Sequence, residues 1–453
     1  MFRLSRDKEL TDNKLNEFLL EHTTLVQRRY KELDNAYKTD FPILHQDDKP
    51  KYKPDNRIVV NFAKYIVDTM NGYFIGHPIK ITVDGDDESV SNYVQLLDQY
   101  NDQDDNNAEL SKLCSIFGSA YEMYYVDDVG NIGITYVSPM ESFMIYDDSV
   151  LERPRAFVRL YVDEDNVLHG SISDDTYVRY FVQKGRLTWE DEKKHGFDGV
   201  PATEYRENQE SIGIFEPVLT MINAYNKAIS EKANDVDYFA DAYLKILGEK
   251  LSTDELENIR DDRIINFDGD VNGVTVDFLN KPNGDTTQEN LINRLERLIF
   301  QISMVADISD ENFGTSSGIA LKYKLLAMSN LAKTKERKFT SGMNRRYKLI
   351  FSNPVSGMKK DDWMKLHFKF TQNIPSNLLE EAQIAAQLSG IVSEETQLSV
   401  LSIVDDVKSE IEKKEAEAQP DTLGFDLADF SGADEGIIID RNLSRSERLG
   451  GNA

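Results

Sequence analysis

The chain has 453 residues, 40% apolar and 29% charged, and its 52 Lys and Arg stand against 80 Asp and Glu for a formal net charge of −28. That length makes roughly two to four compact units, and that composition fits a soluble globular chain with sizeable cores. The acidic balance argues against ordinary sequence-specific DNA reading, which needs a basic face to neutralise phosphates.

Leu15, Phe18, Leu19, Leu25, Tyr30 and Leu33 predict a helix over 10–37, and a proline-bearing polar loop follows from Phe41 to Pro54. Residues 57–75 return to helical spacing at Val60, Ala63, Ile66, Val67 and Met70, before Gly76-His77-Pro78 breaks the run and IKITV alternates as a strand. Residues 88–118 predict two helices joined by a polar loop at Asp102–Asn107. From 119 to 207 the pattern is β. Three strand–turn–strand units run AYEMYYV to IGITYV, FVRLYVD to VLHGSIS, and TYVRYFV to RLTWE.

Val218, Ile222, Tyr225, Ile229, Val236, Phe239, Tyr243 and Leu247 then form one seam of a long helix over 215–247, ended by Gly248. At 1.5 Å per residue it would run roughly 45–50 Å. Residues 249–288 read as a small α/β insert. The seam resumes at Leu291, Leu295, Leu298, Ile302 and Val305. Two amphipathic helices around a small insert predict a hairpin with the insert at its tip. After the polar loop SDENFGTSSG (Ser309–Gly318), residues 320–350 carry nine Lys or Arg and one acid, Glu336. A +8 helix in a chain of −28 needs something negative nearby, because like charges at i,i+4 destabilise an isolated helix. The candidates are the acidic remainder of the chain, a neighbouring subunit or a polyanion. WMKLHFKFT (363–371) alternates as a strand, 376–416 is helical and acidic, and 417–453 has the composition of a disordered tail.

No chemistry is legible. There is no GxxxxGK[ST] and no GxGxxG, and His22, His45, His77, His169, His195 and His367 stand apart in sequence. The Asp–Asp pairs, such as Asp127-Asp128, Asp147-Asp148 and Asp174-Asp175, could supply carboxylates for two metals, but they fall at predicted turns, where Asp is favoured for backbone reasons. One cysteine, Cys114, excludes an intrachain disulfide and a multi-cysteine zinc site, and in LCSIFG it reads as a buried, inert thiol. No run of about 18 uncharged apolar residues exists, so no membrane span is expected. The N-terminus lacks an apolar signal segment, so a cytoplasmic chain is expected. No catalytic residue, cofactor or metal ligand is expected.

Four stretches carry a resemblance: NRIVVNFAKYIVDTMNGYFIGHPIKI (56–81), GSAYEMYYVDDVGNIGITYVSPMESFMIYDD (118–148), HGFDGVPATEYREN (195–208) and ISMVADISDENFGTSSGIALKYKLLAMSNLAKTKERKF (302–339). In order and content they make the chain resemble the portal proteins of tailed double-stranded-DNA bacteriophages, of the type in long-tailed phages of Gram-positive hosts. The resemblance implies an α+β portal-type subunit: an α/β wing over 1–214, to which the basic helix and returning strand of 319–375 belong. Stem helices would lie at 215–248 and 289–309, with a clip at 249–288, a tunnel loop at 310–318 and a helical crown at 376–416.

It further implies a homo-oligomeric ring, by family habit of twelve, at one capsid vertex. The chain would sit in the virion, and in the host cytoplasm during assembly. Double-stranded DNA would pass through for packaging and ejection. The terminase large subunit, a head-completion adaptor, and the major capsid and scaffolding proteins would be partners. The tunnel loop would present Asn312, Phe313, Gly314, Thr315, Ser316, Ser317 and Gly318. Lys322, Lys324, Arg294 and Arg297 are candidate DNA contacts, and Leu291, Leu295, Leu298 and Ile302 candidate subunit contacts. Two alternatives stand beside this: a metal-dependent nuclease or hydrolase using the Asp clusters, and a monomeric scaffold or adaptor.

Overall fold

The computed structural model describes residues 2–50, 53–240, 244–247, 275–278, 285–308, 318–373, 378–401, 403–404 and 407–418. The chain divides into two units, 1–374 and 375–453. In the first, helices α1 (Asp12–Leu25) and α2 (Lys31–Tyr37) are joined through a π-helical turn at Val26–Tyr30. Then come α3 (Phe62–Ile75), α4 (Glu88–Tyr100) and α5 (Gln103–Phe117). Polar side chains start α1 and α3: the Thr11 hydroxyl accepts from the Lys14 amide and the Asn61 side-chain carbonyl from the Lys64 amide, each satisfying a donor that the first turn leaves open.

The β region forms two antiparallel systems. Strands β3 (Ser119–Val126), β4 (Ile132–Val137) and β10 (Ala202–Arg206) make a three-stranded sheet in the order β10-β3-β4. The other sheet holds β1 (Phe2–Arg3), β5 (Ser142–Tyr146), β6 (Pro154–Val162), β7 (Leu168–Ser173), β8 (Tyr177–Lys184) and β9 (Arg186–Lys194), in the order β1-β5-β6-β7-β8-β9. The three sequence-legible hairpins are therefore present. The sequence reading had no strand at Ser142–Tyr146 or Ala202–Arg206. Ser142–Tyr146 is buried at every position, so its run carries no alternation to read.

Three further expectations change. The polar loop at Asp102–Asn107 is helix from Gln103 onward. Only Asn101 and Asp102 turn the chain, with Asp102 at φ 47°, while Asp104 and Asp105 sit in the first turn, where the helix dipole favours acids. The long helix α6 spans Leu219–Ala240, 22 residues and about 33 Å. Leu244–Leu247 is a strand paired antiparallel with Thr275–Phe278, so Gly248 does not end the helix. LKIL alternates as readily as it fits a helical seam, and cross-strand pairing decides it. The basic run breaks at Leu325 into α8 (Gly318–Lys324) and α9 (Leu326–Ser352). The partner helix of α6 is α7 (Asp285–Ser303).

The largest core joins α2 to α7, α9 and the three-stranded sheet through Ile66, Met70, Leu110, Tyr205, Ile222, Ile299, Phe339 and Tyr347. Gly342 makes part of this possible: a Cβ there would come within 2.4 Å of the Tyr205 ring, so glycine lets α9 lie on β10. A second core sits between α1 and the six-stranded sheet, with Phe2, Phe18, Phe143, Val158 and Phe181 inside. Strand Leu366–Lys369 pairs with β2 (Lys80–Val83) and returns the chain to the body. Among the described residues the second unit holds three short helices, Leu378–Leu388, Glu394–Leu398 and Val407–Ala418.

Candidate functional site

The basic helix is not one charged face. Lys335 is 1% exposed; its Nζ lies 2.8 Å from Glu207 Oε2 and donates to Ser115 Oγ (2.6 Å) and Ser111 O (3.0 Å). About three turns on, Arg346 is fully buried and holds Glu122 in a two-pronged pair, Nε to Oε2 at 2.9 Å and Nη2 to Oε1 at 2.7 Å, with Asn107 Oδ1 at 2.6 Å. Tyr124 and Tyr205 donate to the same Glu122 oxygen. Burial opposes the Arg346 charge but the Glu122 carboxylate outweighs it, holding its pKa well above the ordinary arginine value. Asp98 faces this cluster, and burial lifts its carboxyl to about 6. On the outside of α8 and α9, Lys322, Lys324, Lys333, Arg337 and Lys348 are exposed.

Helices α6 and α7 lie antiparallel. Lys232 pairs with Glu289, Gln288 donates to Asp235 at 2.8 Å, and Tyr225 and Phe300 both meet Phe62 edge-on. The inner seam of α7 is Ile292, Ile299 and Ser303. Leu295 packs on the core from its edge, Leu298 is half-buried, and Leu291 and Ile302 are exposed. One stripe of α7 thus stays partly uncovered within the subunit. Arg294 and Arg297 are exposed beside it.

A polar ladder on α6 was missed in the sequence. Asn226, Ser230 and Asn234, spaced four apart on one face, accept the amides of Val60 (2.9 Å), Ile58 (2.9 Å) and Asn56 (2.6 Å). Every second amide of an extended segment meets every fourth residue of a helix, because about 6.6 Å of strand nearly matches about 6 Å of helix. This holds 56–60 extended where helical spacing had been expected from 57. The N-x₃-S-x₃-N spacing was the available signal.

The titratable groups do not converge. His22 is buried with Nε2 2.8 Å from Pro139 O, and burial lowers its pKa. His169 meets Asp163 at 2.8 Å, His367 meets Asp84 at 2.7 Å, and His195 meets Asp174 O at 3.1 Å, each in a separate place. The aspartate pairs serve turns: Oδ1 of Asp127 accepts from Val129 and Asn131, that of Asp147 from Ser149 and Arg153, and that of Asp174 from Thr176 and Tyr177. Among the described residues no three His, Cys, Asp or Glu could hold a metal ion. Cys114 is fully buried, and burial pushes its thiol up, away from reactivity.

Residues 16–422 match the family described as phage portal protein, SPP1 Gp6-like. The chain belongs to this family. The portal protein of Clostridium phage phiCD119 is 24% identical over 438 residues, covering 89% of this chain and 94% of that one. A chain from the neck of an empty GTA particle computed with C6 symmetry matches at 10% identity and a TM-score of 0.44, over 84% of this chain and 93% of that one, a likeness too distant to inform the fold.

As a portal protein the chain is a virion component. It forms an oligomeric ring at a capsid vertex for DNA passage, and it is structural, not catalytic. That decides against the hydrolase and the monomeric adaptor. Asn312 to Ser317 of the expected tunnel loop, and most of the expected clip, lie outside the described residues; Gly318 opens α8.

Proposed function

We propose that this portal subunit works in a ring of twelve, with α6 and α7 as the stem that lines the duplex path. The partly uncovered stripe of Leu291, Leu298 and Ile302 carries this reading, since a stem helix with one face on its own chain needs a neighbour on the next. Leu295, packed on the subunit core, supports the stem from within. The insert expected at 249–288, which gives way to α7 at Asp285, serves as the clip that docks a head-completion adaptor. The wing, 1–214 with 319–375, meets the major capsid and scaffolding proteins, and residues 376–416 form the crown. The terminase large subunit docks from outside and drives DNA through.

The glycines of 310–318 let the tunnel loop reshape as DNA passes. Arg294, Arg297, Lys322 and Lys324 are exposed enough to meet phosphate sparsely, which suits a channel in which a dense basic wall would grip the duplex. Negative-stain class averages of purified protein test the ring: twelvefold averages are expected, and another number corrects it. Replacing 249–284 by a short turn should leave a folded, assembling chain that no longer retains its adaptor. Loss of all tertiary structure would return the insert to the core. Gly314→Pro with Gly318→Pro should block packaging in assembled rings, and normal packaging would make this loop a plain connection.

A further inference from the structure

Two surfaces of the subunit combine large exposed apolar side chains with charge of one sign, and the signs are opposite. The first is the outer stripe of α9. Leu326, Lys333 and Arg337 recur at helical spacing on its exposed side, and Tyr323, 74% exposed, precedes them on α8. The second lies where α4, α5 and the β3–β4 hairpin meet. Leu96, Tyr100, Tyr125 and Val129 are exposed there, Val129 at 83%, beside the exposed Asp104 and Asp105. These elements form one surface: the Tyr100 hydroxyl bonds Asp127 of the hairpin, and Asn101 bonds the backbone of Ile132 and Ile134. Among the described residues no ion pair joins Lys333, Arg337, Asp104 or Asp105 to the rest of the chain.

We propose that the α9 stripe of one subunit docks on the α4–α5/β3–β4 patch of the next copy, so that these two surfaces close the ring. The inference rests on the ring reading and adds the contact that makes it. Charge complementarity points to a second copy: the basic stripe needs an acidic partner, and the chain outside 320–350 is strongly acidic. The apolar content separates that partner from DNA. Phosphates reward Lys333 and Arg337 but offer little to Tyr323 and Leu326, whereas a protein interface buries such side chains at its centre and keeps charges on its rim. Two different patches on one chain make a head-to-tail contact, the kind that generates rings when the rotation closes. Rim charges of this type steer association and make it salt-dependent.

The test is a charge swap in the full-length chain, read by sedimentation velocity across protein and NaCl concentration. K333E/R337E and D104K/D105K should each raise the concentration for half-assembly about tenfold or more, and the four changes together should recover it to within about threefold. K333Q/R337Q and D104N/D105N repeat the single arms without reversed charge, guarding against a folding defect at the start of α5. Independently, a chain carrying K333C and D104C should give a ladder of covalent oligomers with a short bis-maleimide, the buried Cys114 staying silent.

Unchanged assembly in either single arm, no recovery in the combination, or a chain that stays monomeric on cross-linking overturns the contact. So does loss of duplex affinity in K333Q/R337Q rings that assemble normally, which would give the stripe to DNA. A wild-type chain that is monomeric at every concentration overturns the ring itself, and a ring that ignores the swaps overturns this contact alone.

Discussion

The two sides of α9 use the same residue types for opposite ends. Lys333 and Arg337 point outward and are free to meet another surface. Lys335 and Arg346 point inward, each closed on a carboxylate from the β region, Glu207 and Glu122. Charge content alone does not separate them, since Lys333 and Lys335 are two residues apart. What separates them is the helical angle relative to the sheet and a waiting acid on it. The inner cations fix the rotation and register of α9 against β3 and β10, because only one orientation satisfies both carboxylates. Such pairs add little net stability over apolar residues of similar size, yet removing one partner strands a buried charge.

The sharpest break in this comparison is Glu122→Ala. It leaves Arg346 buried without its carboxylate and should cost about 3–5 kcal/mol, read as a lower melting temperature at equal protein concentration, since assembly itself adds stability. Pairing it with Arg346→Met should return most of that loss; if Glu122→Ala melts like wild type, the buried pair is not what orients α9.

Next in size is the polar ladder on α6. Asn226→Ala leaves the Val60 amide without its acceptor and should cost about 1–2 kcal/mol, with faster hydrogen exchange at Val60 than at amides inside α3. Equal exchange rates would show that the ladder does not hold the strap.

Asp98 stands between the two environments. Burial raises its carboxyl to about 6 from 3.8, against the pull of Arg346. As pH rises, the unfolded chain gives up this proton before the folded one does, so the group costs stability increasingly from about pH 4 to about pH 6 and fully above. Asp98→Asn should therefore stabilise the chain by about 1 kcal/mol near neutral pH, a figure reduced for partial exposure, and bring no gain below about pH 4. A gain that does not change with pH would place the benefit elsewhere than in the charge. The smallest effect belongs to the outer side: Lys333→Ala should change the melting temperature of unassembled subunit by an amount equivalent to under about 0.5 kcal/mol, and a larger loss would mean that this lysine has an internal partner.

Much of the secondary structure was open to a reader of the sequence. Three hairpins, the α3 apolar face and the amphipathic character of α6 and α7 follow from periodicity that one chain segment carries by itself, although the seam buried on α7 is Ile292 and Ile299, not Leu291 and Ile302. Strand Ser142–Tyr146 was not open, because burial at every position removes the alternation that marks a strand. For the candidate site, Lys322, Lys324, Arg294 and Arg297 lie exposed, while the α7 residues divide: Leu291 and Ile302 outward, Leu295 against the core. A one-residue step on a helix turns a side chain by about 100°, and a seam read without its partner cannot say which flank faces inward.

By itself the sequence determined the α+β class and the family, because these rest on local periodicity and on ordered stretches along the chain. Only the tertiary structure decided that Lys335 and Arg346 are internal and that 56–60 is a strap on α6. Each depends on a partner far away in sequence, Glu207, Glu122 or Asn226. A buried charge or an extended segment is stable only with that partner in place, and the partner is supplied by the fold.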